Sequence, residues 1–176
     1  MADLTPLLAY RWSPRAFDPV AELTPDEAAS LLEAARWAPS AGNGQPWRFA
    51  LGHRDDETWK RILTSLPGGD QSWVRHAAIL VVGAHTGGDA ERAAYDLGQA
   101  IAHLTVQATA LGLHVHQLVR FDRAGLASEL ALPDGVRPLV VAAVGRLGDP
   151  FGLPAELRVL ETGLRHRRPV ADLLLA

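Results

Sequence analysis

Apolar runs alternate along the chain with segments in which apolar residues recur every three or four positions, so strands are predicted between helices. Residues 77–83 are almost wholly apolar over a length typical of a strand covered on both faces. Residues 90–111 have the clearest helical spacing. The predicted strands are 47–51, 77–83, 114–119 and 139–144, and the predicted helices are 25–37, 55–66, 90–111 and 122–131. This order indicates a mixed domain of helices and strands.

The longest predicted helix is poor in charge on every face. No Asp, Glu, Lys or Arg occurs from residue 97 to residue 119. Scattered Gln, His and Thr residues argue against a membrane span. A helix that is apolar most of the way round is buried in a core or in a subunit interface. A domain of this size has little room to enclose it, so we predict that the helix lies in a homodimer interface.

Composition narrows the class of protein. A chain of 176 residues predicts one domain, residues 1–176. The net charge of −3 gives no reason to expect a nucleic-acid or membrane partner. The absence of cysteine excludes disulfides and thiolate chemistry. The N-terminus lacks the pattern of a signal peptide, so a cytoplasmic location is expected.

Residues 38–47 combine two prolines, two glycines and two side-chain amides, which excludes the interior of a helix. Asn43 and Gln45 are two residues apart and would project to one side of an extended chain. Their donors and acceptors suit a flat heterocycle with alternating carbonyls and ring nitrogens. The alternative is a structured turn between a helix and a strand, with Asn and Gly in their usual places.

A second polar pattern occurs near the N-terminus. Arg11, Ser13 and Arg15 alternate, and Pro14 disfavours helix at Ser13. On an extended backbone the three side chains would share one face and could bind a phosphate through charge-assisted hydrogen bonds. The alternative is a solvated basic patch.

Other catalytic motifs are missing from the sequence. It has no dinucleotide-binding fingerprint, no P-loop and no nucleophile elbow. His114 and His116 could bind a metal from one strand face, but no third ligand is marked, so core or surface histidines are favoured. Most of the five tryptophans are expected in the core or at its boundary, although one could stack near a flavin.

Together, the motif Arg11-Trp12-Ser13-Pro14-Arg15-Ala16-Phe17, the segment 38–47 and the basic run 165–169 resemble the nitroreductase family of FMN enzymes. The resemblance implies an α+β fold with a central mixed, mostly antiparallel sheet flanked by helices. It also implies an intertwined homodimer with two FMN sites at the interface, in which the C-terminal tail wraps the other subunit.

The same resemblance implies the chemistry. No catalytic side chain is expected, because flavin N5 carries the hydride; NADH or NADPH would reduce FMN, and a nitroaromatic, quinone or related small molecule would reoxidise it in a ping-pong cycle. The alternatives are a specialised flavin dehydrogenase or oxidase, a dehalogenase, a flavin-cleaving relative, or a non-catalytic flavin-binding protein. The implied FMN-binding residues are Arg11, Trp12, Ser13, Arg15, Ser40, Asn43, Gln45, Arg165 and Arg167, of which Ser40 and Asn43 would act from the neighbouring subunit.

Two departures from the family pattern bear on the substrate. Only residues 84–89 connect the strand 77–83 to the long helix, where many members insert a helical excursion, so a shallower and more open site is expected. After the strand at His114, the chain has Leu118-Val119-Arg120 where members commonly have Pro followed by Glu-Gly or Gly-Gly. Arg120 would favour an anionic substrate or stabilise the reduced flavin, or else point into solvent.

Overall fold

The computed structural model describes residues 3–175. Its strands are β1 (Trp47–His53), β2 (Ile79–His85), β3 (His114–Leu118) and β4 (Arg137–Gly145). Its helices are α1 (Pro6–Ala9), α2 (Pro25–Arg36), α3 (Glu57–Thr64), α4 (Gly68–Val74), α5 (Ala90–Ala110), α6 (Arg123–Glu129) and α7 (Ala155–Thr162). Short 3-10 turns occur at Ala41–Asn43, Pro150–Gly152 and Val170–Leu173.

The four strands form one sheet in the order β1-β2-β4-β3, and each neighbouring pair is antiparallel. The predicted α+β class with a mostly antiparallel central sheet is therefore confirmed. Strands β2 and β4 are central and almost wholly buried, as their apolar runs predicted. Each strand extends one or two residues beyond or short of its predicted bounds, because pairing with a neighbour decides where a strand ends.

Two apolar layers cover the two faces of the sheet. One contains Leu31 of α2 with Leu97 and Leu104 of α5, all packed on the sheet. The other contains Ile62 of α3, Trp73 of α4 and residues from α6 and the N-terminal segment. Both layers share the same four strands, so the helices flank the sheet on both sides.

Helix starts follow the sequence where a side chain caps them. The Thr24 hydroxyl accepts a hydrogen bond from the backbone N–H of Glu27, and the Glu27 carboxylate accepts one from the N–H of Thr24, which completes a capping box for α2. Asp56, Asp89 and Asp122 cap α3, α5 and α6 in a similar way.

Three helices were not predicted from the sequence: α1, α4 and α7. Each begins after a threonine or proline that makes no side-chain cap, so the usual start signal is missing. The Pro67-Gly68-Gly69 stretch directly follows the predicted helix 55–66 and begins α4. In the part of the chain that the structure describes, none of the helices is both long enough and apolar enough to cross a membrane.

Candidate FMN-binding site

The two ends of the chain meet in a cavity of about 230 Å³, which we call the arginine cavity. Its polar lining comes from Arg11 and Ser13 on the N-terminal side and from Glu161, Arg165 and Arg167 on the C-terminal side. Trp12 contributes an aromatic wall. Five of the residues predicted to bind FMN (Arg11, Trp12, Ser13, Arg165 and Arg167) thus line one cavity, although about 150 positions separate the two groups along the chain.

The arginine cavity has the electrostatics of an anion site. Burial, together with the positive charges of Arg167 and Arg165, lowers the pKa of the Arg11 guanidinium. None of the ion pairs formed within residues 3–175 involves these three arginines. Like charges held together without a carboxylate partner repel one another, and a bound dianion would relieve that repulsion. The residues present therefore fit a phosphate group.

Arg165 anchors the C-terminal segment to the N-terminal segment. Its guanidinium donates to the carbonyl of Arg11 at 2.6 Å and to the carbonyl of Ala9 at 3.2 Å. The Arg11 guanidinium donates to the Ser13 hydroxyl at 3.4 Å. Arg167 donates only to its neighbour's carbonyl, at 2.9 Å. A guanidinium has five N–H donors, so each arginine keeps donors for a ligand.

The Arg15 side chain lies outside the cavity that Arg11 and Ser13 line. The backbone bends at this residue, and the Arg15 guanidinium lies 5.9 Å from the centre of the Trp73 ring, outside the lining of the arginine cavity. The expectation that Arg11, Ser13 and Arg15 share one face is correct for the first two only, because the chain is not extended through residue 15. A role for Arg15 at the phosphate stays a prediction.

The amide-bearing segment is a tight turn, which is the alternative given for residues 38–47, and not an extended chain. Residues 41–43 form a 3-10 turn, and Asn43 and Gln45 both have left-handed backbone angles, with φ of 57° and 46°. The Ser40 hydroxyl accepts a hydrogen bond from the N–H of Gln45 at 3.0 Å. Asn43 tolerates this conformation better than Gln45 does, and such strain clusters at binding sites.

Asp96 of α5 holds the beginning of this turn. Its side chain is 4% exposed, and its carboxylate accepts a hydrogen bond from the N–H of Ala41 at 3.2 Å. The turn borders a second cavity, of about 240 Å³, lined by Ala41, Gly44 and Asp96 among others. Among the described residues, none lines both this cavity and the arginine cavity. Within one chain the amide segment and the arginines therefore border different cavities.

His114 and His116 project from the same face of β3 toward the N-terminal segment. Trp12 meets the His114 ring edge-on, and His116 lies 4.6 Å from the Trp73 ring centre. Burial lowers the pKa of both imidazoles. Among the described residues no group of three potential metal ligands occurs. Both histidines are half-buried, and Nδ1 of His116 lies 2.9 Å from the Pro14 carbonyl oxygen. That this pair binds no metal stays a prediction.

The tryptophans divide as expected, with one exception. Trp47, Trp59 and Trp73 are buried, and Trp12 is half-buried at the arginine cavity. Trp37 is 71% exposed, because it lies just past the end of α2 with its indole N–H donating to Glu33. The expectation that most of the tryptophans lie in the core or at its boundary therefore agrees with four of the five.

The two departures from the family pattern are visible in the structure. Residues 86–89 alone connect β2 to α5. After β3, the Val119 side chain is 59% exposed and Arg120 is exposed, while Leu118 is buried. The wall beyond β3 therefore presents an apolar side chain and a cation at the surface. Their effect on a substrate stays a prediction.

Sequence reasoning missed Glu161, His116 as a partner of the N-terminal segment, and Asp96. Glu161 and Asp96 are buried and His116 is half-buried, and the side chain of each is bonded to the backbone of a distant segment. No local motif marks them, since their partners lie 145, 102 and 55 residues away.

Comparison with known proteins agrees with this geometry. A solved structure described as an oxidoreductase containing FMN superposes with a TM-score of 0.90 and 33% identity, over 99% of this chain and 91% of that one. The chain thus has the fold of a class of oxidoreductases. A sequence profile of the nitroreductase family matches residues 8–69. The chain belongs to the nitroreductase family.

Two protein sequences show partial similarity. An uncharacterized 15.4 kDa protein of Mycolicibacterium smegmatis is 38% identical over 113 residues, which are 58% of this chain and 76% of that protein. The oxygen-insensitive NAD(P)H nitroreductase of Salmonella typhimurium is 33% identical over 54 residues, which are 31% of this chain and 25% of that enzyme. The second match spans only a quarter of the Salmonella enzyme, so the activity of that enzyme is not transferred to this chain.

Proposed function

We propose that this protein is an FMN-dependent oxidoreductase that takes electrons from NADH or NADPH and passes them to a nitroaromatic, quinone or related small molecule in a ping-pong cycle. We further propose that residues 1–176 form one FMN-binding domain, since both apolar layers share one sheet. A cytoplasmic location stays a prediction from the sequence.

The observation that carries the proposal is the arginine cavity. Three guanidiniums and a hydroxyl from opposite ends of the chain converge there, and within residues 3–175 none of the three guanidiniums forms an ion pair, although the Glu161 carboxylate also lines the cavity. A phosphate monoester supplies the missing negative charge. Among the cofactors of oxidoreductases, FMN carries such a group at the end of a flexible ribityl chain.

In the proposed cycle, FMN supplies hydride acceptance and donation at its N5 atom. The chain's own residues bind and orient. Arg11, Arg165 and Arg167 neutralise the phosphate, and the Ser13 hydroxyl adds one donor. The rigid turn at residues 40–45 presents amide donors and acceptors for the polar edge of the ring system. No protein group needs to gain or lose a proton for hydride transfer.

We also propose a homodimer in which each site is completed by the neighbouring subunit. The amide turn and the arginines border different cavities of one chain, as expected if they serve two sites. One face of α5 leaves Tyr95, Gly98 and Ala102 exposed. Leucines of the C-terminal tail are also exposed, among them Leu164 at 86%. A second copy would cover both surfaces.

An anaerobic absorbance spectrum of the purified protein, before and after addition of NADH or NADPH, tests the activity. Flavin bands that bleach and then return on addition of a quinone or nitroaromatic would support the full proposal. Bands that persist with both nucleotides would refute the NAD(P)H part and favour a specialised oxidase or a flavin-binding protein. Failure to bind added FMN would refute the cofactor assignment.

Sedimentation velocity at micromolar concentration tests the dimer. The proposal requires twice the 18.9 kDa chain mass. A monomer at that concentration would refute both the shared interface and the two-subunit site.

A further inference from the structure

The backbone of residues 14–16, next to the arginine cavity, is held by a buried carboxylate from the other end of the chain. Glu161 of α7 is 7% exposed. Its two carboxylate oxygens accept hydrogen bonds from the N–H of Arg15 at 3.0 and 2.9 Å, and one of them also accepts from the N–H of Ala16 at 3.0 Å. A buried charge is stable only when its lone pairs are satisfied, and here backbone donors satisfy them.

A second side chain holds the same segment through its carbonyl. The Nδ1 atom of His116 lies 2.9 Å from the carbonyl oxygen of Pro14. Burial, the largest influence, and the charge of Arg15 lower the pKa of this imidazole, so the neutral ring is favoured. The carbonyl only accepts, so Nδ1 carries the proton and donates it. The ring is fixed in place against Trp73, 4.6 Å away.

The two contacts hold the Pro14–Arg15 peptide group from its two sides, and Glu161 also holds the N–H of the next peptide group. Glu161 takes the N–H groups after Pro14, and His116 takes the carbonyl of Pro14 itself. On the far side, the N–H of Gly148 donates to the Ala16 carbonyl at 2.9 Å. The position and direction of the chain leading back to Ser13 and Arg11 are therefore determined by tertiary contacts, not by local secondary structure.

We propose that Glu161 and His116 are positioning residues that fix the backbone of residues 14–16, and so place Arg11 and Ser13 to bind the phosphate of the flavin. This inference rests on the proposed function. By placing the phosphate ligands, these residues would cause the protein to prefer FMN over riboflavin. Riboflavin shares the ring system and the ribityl chain but lacks the phosphate.

Replacement of Glu161 changes FMN affinity in opposite directions under two explanations: a positioning role predicts weaker binding, and a purely electrostatic role predicts tighter binding. The negative charge of Glu161 lines the same cavity as three arginines and disfavours an anionic ligand there. Removal of the charge alone would therefore tighten FMN binding. If the carboxylate acts by holding the backbone, its removal must weaken FMN binding, because a glutamine amide offers one acceptor oxygen and turns its NH₂ toward a backbone donor.

The first test measures the dissociation constants of FMN and riboflavin for the full-length protein and for Glu161→Gln. We expect the variant to bind FMN about tenfold more weakly, because one or two charge-assisted hydrogen bonds to the phosphate are lost. Its dissociation constant for riboflavin should stay within about twofold of that of the unaltered protein. The matched control is Glu156→Gln, which removes the same charge from an exposed position on the same helix. Tighter or unchanged FMN binding by Glu161→Gln would overturn the inference, as would an equal change in the control.

A pair of His116 variants tests the inference if Glu161→Gln does not fold, as judged by its thermal unfolding. The side-chain amide of Asn can take the place of the Nδ1 donor, whereas Leu cannot. We expect His116→Leu to lose the preference for FMN over riboflavin and His116→Asn to retain most of it. Equal behaviour of the two variants would overturn the inference.

The outcome for the unaltered protein separates the two proposals. If the unaltered protein binds neither flavin, the proposed function fails. If it prefers FMN and the variants keep that preference, the proposed function stands and the positioning role is refuted.

Discussion

Arg167 offers the sharpest test of the arginine cavity, because an adjacent arginine outside the cavity provides a matched control. Both Arg167 and Arg168 are exposed and both carry one positive charge, but only Arg167 lines the cavity. The perturbation is Arg167→Gln compared with Arg168→Gln. Each variant changes the net charge of the protein by the same amount, so long-range electrostatics cancel in the comparison.

The magnitude follows from the contacts. One hydrogen bond between charged groups contributes about 1.5 to 3 kcal/mol, which is about tenfold to about 140-fold in a dissociation constant. Arg167 is exposed, so screening places the effect at the lower end, and we expect Arg167→Gln to weaken FMN binding about tenfold. Arg168→Gln should change it by less than about twofold.

The stability of the unliganded protein should respond in the opposite direction. The charge of Arg167 lowers the pKa of Arg11, which means that the two guanidiniums repel each other in the absence of an anion. Arg167→Gln removes this repulsion, so the thermal midpoint of the flavin-free protein should not fall. A site kept for its ligand at some expense of stability behaves in this way.

The assay is a titration of FMN fluorescence with flavin-free protein, repeated with riboflavin and at raised salt. The reasoning predicts that the difference between the two variants shrinks with salt and is absent for riboflavin. Equal weakening by both variants would show that only overall charge matters. An unchanged affinity in Arg167→Gln would remove this residue from the phosphate site.

Three further predictions concern stability. A Cβ on Gly83 would lie 2.8 Å from a methyl carbon of Val140, so Gly83→Ala should lower the free energy of unfolding by about 1 to 3 kcal/mol in urea, and an unchanged midpoint would contradict this packing. Thr24→Ala should lower the free energy of unfolding by about 1 kcal/mol by removing the cap of α2, and an unchanged free energy in the same urea experiment would contradict the role of this cap. Burial lowers the pKa of several histidines below the value in the unfolded state, so the unfolded state binds protons first as the pH falls. The free energy of unfolding should therefore decrease from about pH 7 to about pH 5. A urea midpoint that stays constant or rises over this window would refute the reasoning. These histidines are His76, His85, His114 and His116.

Local signals predicted much of the fold. The continuous apolar runs became the central strands β2 and β4, because only strands covered on both faces lack polar positions. The capping box at Thr24 began α2 at the predicted residue. The helices that were missed, α1, α4 and α7, begin without a side-chain capping hydrogen bond.

The site could be predicted in part. Arg11, Ser13, Arg165 and Arg167 were selected from short motifs, and the structure brings them to one cavity. Their convergence depends on the pairing of Arg165 with the backbone of residues 9 and 11, which no local pattern encodes. The sequence left an extended chain and a turn open for Asn43 and Gln45, since positive φ angles at non-glycine residues are uncommon and depend on surrounding contacts; the structure has the turn.

The sequence by itself determined the family, the apolar strands, the long charge-poor helix and the types of side chain available to a phosphate, because these follow from residue chemistry and from spacing along a few turns. Only the tertiary structure decided that Arg15 turns toward Trp73 while Arg11 faces the cavity. It also assigned Glu161 and His116 to the backbone between them. The physical reason is range: a hydrogen bond acts over about 3 Å of space, and its partners here are separated by 100 residues or more of chain.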